Sequence, residues 1–164
     1  MKPMVFTIGV YGFDEASFFQ ALQAARIDTL CDIRARRAVR GPEYTFANSE
    51  RLQRRLAELN IHYIHLKQLA PSEEIRQMQA EDDKRAKIAR RKRTRLGAAF
   101  QEAYKHDVLQ GLDAADVLKQ MGERARRIAL LCVEREPEAC HRFLLARWLG
   151  EELGVPIEHI TPQT

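Results

Sequence analysis

Residues capable of nucleophilic and acid–base chemistry follow the most apolar stretch of the chain. That stretch, RIALLCV at residues 127–133, is followed at once by Glu134, and Cys140 and His141 come a few positions later. A thiol near the start of a helix and beside an imidazole is expected to have a lowered pKa and to be nucleophilic. Carboxylates and imidazoles are common proton carriers in enzymes. We therefore predict a catalytic group with Cys140 as nucleophile and with His141 and Glu134 as acid–base residues.

A second set of residues is suited to holding an anion. Pro137 fits the start of a helix, where free N–H groups and the helix dipole favour negative charge, and Arg142 follows in the first turns. Arg34 comes directly after another predicted strand and adds a second guanidinium. The predicted substrate-binding residues are Gly9, Tyr11, Asp32, Arg34 and Arg142. The expected ligand is a phosphate-bearing anion, and no cofactor is predicted.

The spacing of the thiols argues against a metal site. Cys132 and Cys140 are eight positions apart, whereas structural zinc sites usually leave about two to four residues between paired cysteines. Cys140 and His141 are adjacent, and neighbouring side chains on a helix point about 100° apart. Both can reach one ion only if the backbone bends between them. We therefore predict no metal.

A purely structural interpretation stays open for the same residues. Buried cysteine is common and inert, and Cys132 lies in an apolar segment. Glu134 could pair with Arg142 inside the protein, and Asp32 with Arg34, so that two buried ion pairs close the edge of the sheet. On this interpretation the chain is an interaction domain rather than an enzyme or a ligand-binding protein.

Positive charge is concentrated at residues 84–95, which we call the basic segment. It reads KRAKIARRKRTR and holds eight basic side chains and no acidic one, while the rest of the chain carries 19 basic and 23 acidic side chains. Such a cluster suits contact with nucleic-acid phosphates; a solvated helix face is the simpler alternative. The predicted nucleic-acid-binding residues are Lys84, Arg85, Arg90, Arg91, Lys92 and Arg93. A non-enzymatic nucleic-acid-binding module is the second functional prediction.

Hydrophobic periodicity predicts strands that alternate with helices. Apolar, β-rich stretches predict five strands, at residues 4–10, 29–33, 61–66, 127–133 and 157–160. Helical spacing predicts helices over residues 13–26, from residue 48 or 49 onward, from 72 to about 106, over 112–121 and over 140–153. Between residues 79 and 95 only Ile88 is a large aliphatic residue, so that part of the long helix has little with which to dock on a core.

This alternation predicts the fold class. Strands that alternate with helices pair in parallel through right-handed crossovers. We predict a single three-layer α/β domain over residues 1–164, with about five mostly parallel strands and helices on both faces. The most apolar strand, at 127–133, is placed centrally, and a half-Rossmann-like arrangement puts the first and fourth strands side by side. Residues 72–106 are predicted to be a charged helical excursion, a long basic helix that protrudes from the domain.

Five short motifs carry a family resemblance. They are Thr7-Ile8-Gly9, Asp32-Ile33-Arg34, Leu131-Cys132-Val133-Glu134, Cys140-His141-Arg142 and His159-Ile160. In order and spacing they resemble the family named domain of unknown function 488. The resemblance implies a compact α/β protein with these residues as its signature, and it implies no established reaction. This chain has Val10-Tyr11 where many relatives have His-Ser, and Ala70-Pro71 where many have Gly-Gly.

Composition excludes several classes of protein. Three cysteines, an odd number, argue against a disulfide scaffold and favour a reducing compartment. No apolar run approaches the roughly 20 residues of a membrane span, and the start of the chain lacks the apolar core of a signal peptide. We predict a cytoplasmic protein with no membrane partner, whose ligand is an anionic small molecule or a nucleic acid.

Overall fold

The computed structural model describes residues 2–163 and contains one sheet of five parallel strands. The strands are β1 (Met4–Ile8), β2 (Thr29–Asp32), β3 (His62–His65), β4 (Arg127–Leu131) and β5 (Ile157–Ile160). They lie in the order β3-β2-β4-β1-β5. The predicted parallel α/β sheet is confirmed, with β4 in the centre and with the first and fourth strands adjacent.

The strand register brings the residues that follow β1, β2 and β4 to one edge of the sheet. Leu131 at the end of β4 is level with Ile8 of β1 on one side and with Asp32 of β2 on the other. The residues that follow these three strands therefore emerge side by side. Ligand sites of open parallel sheets lie beyond this carboxyl edge, and the predicted site residues occupy it.

Helices cover both faces of the sheet. They are α1 (Glu15–Ala24), α2 (Ser49–Glu58), α3 (Glu73–Ala86), α4 (Ala98–Tyr104), α5 (Ala114–Gln120) and α6 (His141–Leu153). Helices α1 and α2 pack on the face that carries Phe6, Leu30 and Ala129. The other four pack on the opposite face, which carries Val5 and Ile128. Alternate strand residues thus feed two separate cores, as expected for a sheet buried on both sides.

The prediction of one long, protruding helix over residues 72–106 is wrong. Helix α3 ends at Ala86, because Lys87 takes a left-handed conformation (φ 56°, ψ 41°). The chain then folds through a short 3₁₀ turn at Arg90–Lys92 before α4 begins. The physical reason is the basic segment itself: as a helix it would stack like charges and bury almost nothing. Folded back, it lies across the carboxyl edge of the sheet.

The start of α6 also differs from the prediction. Pro137 opens a separate 3₁₀ turn, Pro137–Ala139, and Cys140 is the residue that precedes α6. Cys140 has an extended backbone (φ −140°, ψ 149°), so the chain bends sharply between Cys140 and His141. This bend decides how the side chains of Cys140 and His141 lie relative to each other.

Within residues 2–163, no helix is both long enough and apolar enough to cross a membrane.

Gly9 allows the loop after β4 to lie directly on the end of β1. A Cβ atom at this position would lie 1.9 Å from the carbonyl oxygen of Glu134 and 2.8 Å from Nη1 of Arg142. Both distances are too short for carbon, so only glycine permits this approach.

Replacing Gly9 with alanine is therefore expected to destabilise the protein by about 1–3 kcal/mol or more, as overpacking does. Gly111→Ala is the matched control, since a Cβ at Gly111 would meet nothing within 4 Å. Urea unfolding of both variants measures the difference. Equal stability of the two variants would contradict the close approach at Gly9.

Candidate functional site

Arg142 is completely buried and is held by protein oxygen atoms. Its Nη1 donates to the carbonyl oxygen of Glu134 at 2.6 Å, and its Nη2 donates to that of Arg135 at 3.1 Å. Its Nε donates to Oγ1 of Thr7 at 3.3 Å, and that hydroxyl also bonds Nδ1 of His159 at 2.7 Å. Arg142 therefore ties the loop after β4 to β1 and α6. The ion pair between its side chain and that of Glu134, suggested by the structural interpretation, is not formed.

Arg34 forms the other suggested pair. Its Nε and Nη2 donate to the two carboxylate oxygens of Asp32, at 2.9 and 2.8 Å, and its Nη1 donates to the carbonyl oxygen of Ala47. Both side chains are buried. Tyr63 donates a further hydrogen bond, at 2.6 Å, to the same carboxylate. This fork-shaped contact closes the end of β2.

Two thiols and one imidazole meet beneath this edge. Nδ1 of His141 lies 3.6 Å from Sγ of Cys132 and 3.8 Å from Sγ of Cys140. We call these three side chains the thiol–imidazole cluster. Each is buried, with 5% or less of its surface exposed. The bend at Cys140 turns its side chain toward His141, so the two neighbours do not diverge as they would on a continuous helix.

The ring of His141 is fixed from its other side. Its Nε2 lies 2.8 Å from the carbonyl oxygen of Ile33, just beyond β2. A carbonyl only accepts hydrogen bonds, so Nε2 carries a proton and Nδ1 is directed at the thiols. The ring of Tyr104 packs against that of His141, with centroids 5.6 Å apart.

The pKa values of the three side chains in the thiol–imidazole cluster are shifted in different directions. Burial alone would raise the pKa of Cys140, but hydrogen bonding from Cys132 and the positive charges of His141 and Arg142 lower that pKa well below its usual value. Burial, together with the hydrogen bond and charge of Cys140, raises the pKa of Cys132. Burial would lower the pKa of His141, yet the neighbouring Cys140 charge raises it above its usual value. Cys140 is thus the thiolate of the cluster, and Cys132 is its protonated neighbour.

The same three side chains could hold a metal ion. Their ligand atoms all lie within 4.8 Å of one another. The prediction of no metal assumed that a helix runs through Cys140. The extended backbone at Cys140 removes that objection to a metal site. Cys132, which the sequence favours as a core residue, belongs to the cluster.

Glu134 faces the cluster and is bound by the basic segment. Its Oε1 accepts hydrogen bonds from Nε of Arg90 at 2.7 Å and from Nη2 of Arg93 at 3.1 Å, while its Oε2 lies 3.8 Å from Sγ of Cys132. Nη1 of Arg93 also donates to Asp83 of α3 at 2.7 Å. Two buried carboxylates thus hold the basic segment across the edge of the sheet.

Other residues of the basic segment are exposed to solvent. The Arg91 guanidinium lies over the rings of Tyr11 and Tyr44, 4.9 and 5.4 Å from their centroids. Arg85 pairs with Asp82. Lys84 and Lys92 are exposed.

The basic segment roofs a cleft of about 660 Å³ above the thiol–imidazole cluster. Eight cationic side chains and two carboxylates line the cleft. Among the predicted site residues, the lining includes Tyr11, Arg34, Glu134, Cys140, His141, Arg90, Arg91, Lys92 and Arg93. Gly9, Asp32 and Arg142 lie behind the lining, and Lys84 and Arg85 lie outside it.

The most distinctive residue that the sequence analysis missed is Arg76 of α3. It lines the cleft, and its Nε is buried without a hydrogen-bond partner within residues 2–163. Gln79 and Asp83 lie on the same face of α3, at i+3 and i+7, and both are buried. In the sequence, these polar residues stand at the spacing of a helix face that packs on the core, and this pattern was the signal that could have identified Arg76. Arg36 and Arg40, in the basic loop after β2, complete the lining.

The lowered pKa of Cys140 makes its alkylation an informative test. In the presence of EDTA, which keeps metal ions off the thiols, iodoacetamide should modify Cys140 at a pH well below the ordinary thiol pKa of ~8.5. The rate should fall only when the pH drops through the lowered pKa, because the thiolate is then lost. Cys132 and Cys31, whose pKa values are raised by burial, should react only after unfolding. Peptide mass spectrometry assigns the labels, and equally slow labelling of all three would disprove the thiolate.

Comparison with known proteins agrees with the motifs. The family model described as domain of unknown function DUF488 matches residues 15–149. The matched region contains Asp32-Ile33-Arg34 and the whole stretch from Leu131 to Arg142, while the first and last motifs lie outside it. Comparison with the curated proteins and with the solved structures finds no match. Because the match spans most of the chain, the protein belongs to the DUF488 family.

Proposed function

We propose that the protein binds a phosphate-bearing anion in the cleft and acts on it with the groups of the cleft floor. The observation that carries this proposal is the charge of the lining, where eight cations face two carboxylates. Both carboxylates already have partners in the basic segment. A concave site with such an excess of one charge concentrates ligands of the opposite charge.

Arg76 supports the proposal most directly. Its buried Nε has no acceptor within residues 2–163, and a buried charged donor without an acceptor is unfavourable. An anion oxygen in the cleft would supply the acceptor. Arg36 and Arg40 also line the cleft and form no ion pair in the described chain.

The proposal changes the roles of the two arginines chosen from the sequence. The guanidinium groups of Arg34 and Arg142 are occupied by protein oxygen atoms. We assign anion contact to Arg76, Arg36 and Arg40 instead. Cys140, His141 and Glu134 remain the groups positioned to act on the bound anion, because all three line the floor.

We also place the protein in the cytoplasm. Its three cysteines are free and buried, and unpaired thiols are typical of proteins in a reducing compartment.

Arg76→Gln should weaken anion binding by about tenfold to a hundredfold, the effect of losing one charge-assisted hydrogen bond of ~1.5–3 kcal/mol. Isothermal titration calorimetry with inorganic phosphate, nucleoside monophosphates and sugar phosphates measures this change. Arg124→Gln, at an exposed arginine outside the cleft lining, is the control. Thermal stability of Arg76→Gln should stay equal or rise, since the variant removes an unpaired buried donor. Equal affinity of both variants would refute the role of Arg76.

Nucleic-acid binding is the second candidate, and the exposed lysines of the basic segment favour it. Lys84, Lys87 and Lys92 are exposed and form no ion pair within residues 2–163. They are free to contact phosphates, whereas Arg90 and Arg93 are already bound to carboxylates.

If these three lysines neutralise about three DNA phosphates, the slope of log affinity against log salt concentration should be about −3. Replacing all three with glutamine should bring the slope close to zero. Lys67, Lys105 and Lys119, exposed elsewhere on the surface, form the matched triple control and should leave it unchanged. Fluorescence anisotropy with duplex DNA and single-stranded RNA gives the slope. An absence of measurable binding at low salt would exclude this function.

A further inference from the structure

We propose that Cys132, Cys140 and His141 bind one divalent ion of the zinc class at the floor of the cleft. The two Sγ atoms and Nδ1 are the ligands, and the fourth coordination position opens into the cleft. The site itself rests on the geometry of the cluster alone; any action of the ion on a bound anion rests on the proposed function.

The distances between the ligand atoms fit a tetrahedral ion. With Zn–S bonds of about 2.3 Å and Zn–N bonds of about 2.0–2.1 Å, tetrahedral angles place sulfur and nitrogen about 3.6 Å apart. The observed Sγ–Nδ1 distances are 3.6 Å for Cys132 and 3.8 Å for Cys140. All three atoms lie within 4.8 Å of one another. An ion can therefore bind with only small side-chain rotations.

The donor set selects the class of ion. Two thiolates and one imidazole are soft ligands that suit zinc, whereas magnesium and calcium require oxygen ligands. A divalent ion also balances the negative charge of the two buried thiolates that bind it. Of the positively charged groups nearby, Arg142 is held by protein oxygen atoms, and Arg90 and Arg93 are paired with Glu134.

The surroundings of His141 are those of a metal ligand. Its Nε2 donates to the carbonyl oxygen of Ile33, and metal-binding histidines almost always donate their second nitrogen in this way. That hydrogen bond fixes the ring and leaves Nδ1 directed at the thiols. Tyr104 holds the ring from its face. The ligand is therefore oriented before an ion arrives.

The fourth position distinguishes this site from a structural zinc site. Structural sites use four protein ligands, whereas catalytic sites use three and leave one position for water or substrate. The carboxylate of Glu134 lies beside that position, with Oε2 3.8 Å from Sγ of Cys132. All three ligands and Glu134 line the cleft. An ion here would face the proposed anion and polarise one of its oxygen atoms.

The test measures metal content and ligand spectra. Protein produced in zinc-supplemented medium and purified without chelator should hold about one zinc per chain by inductively coupled plasma mass spectrometry. Cys132→Ala and Cys140→Ala should each lose most of it. Cys31→Ala, at the buried cysteine of β2 outside the cluster, should retain it. Unmodified protein stripped of metal and titrated with Co²⁺ should show the visible bands of tetrahedral cobalt and a thiolate-to-cobalt charge-transfer band, which keeps the test valid if a variant fails to fold.

Two results would overturn the metal site. One is equal metal content in the Cys132, Cys140 and Cys31 variants. The other is the absence of a tetrahedral cobalt spectrum in the unmodified protein, and Cys140 would then act as a free thiol. Phosphate titrations of the metal-free and zinc-loaded proteins separate the two proposals. Phosphate binding together with no cobalt spectrum supports the proposed function and refutes the metal site. A cobalt spectrum together with no phosphate binding supports the metal site and refutes the proposed function.

Discussion

The buried guanidinium of Arg142 makes the contacts on which the carboxyl edge of the sheet depends. It joins β1, through Thr7, to the loop after β4, through the carbonyl oxygens of Glu134 and Arg135. A guanidinium offers five donors in a rigid fork, and a lysine at this position could not make the same contacts. Because Arg142 belongs to the first turn of α6, the same contact sets the loop against Cys140 and His141. The thiol–imidazole cluster is a product of this arrangement.

The arginines of the basic segment perform two tasks that are usually separate. Arg90 and Arg93 supply the positive charge of the cleft, and they also neutralise the buried carboxylates of Glu134 and Asp83. The Arg93 side chain is 9% exposed and that of Arg90 is 60% exposed, so the buried ion pairs are those of Arg93. Removing one partner of a buried ion pair is far more damaging than removing an exposed charge. The roof of the cleft is consequently part of the folded structure rather than a flexible arm.

The sequence was sufficient to predict the sheet and the convergence of the site residues at its edge. It was not sufficient to predict which of their side chains pair with one another. Apolar strands and right-handed crossovers restrict the topology strongly, so the central position of β4 could be predicted. The partners of Glu134 could not be predicted, because Arg90 and Arg93 lie about forty residues away and approach Glu134 only because α3 ends at Ala86. The bend at Cys140 has no sequence signal, since Pro137 indicates a helix start without indicating which turn follows.

The strand order has a consequence for how the chain is made. β1 pairs only with β4 and β5, both of which lie in the last quarter of the sequence. During synthesis, the apolar strand β1 (MVFTI) therefore has no partner strand until more than a hundred further residues have been made. Only the β2–β3 pair can form early. Sheet closure and assembly of the cluster then occur together, so an incomplete chain would expose an unpaired strand edge.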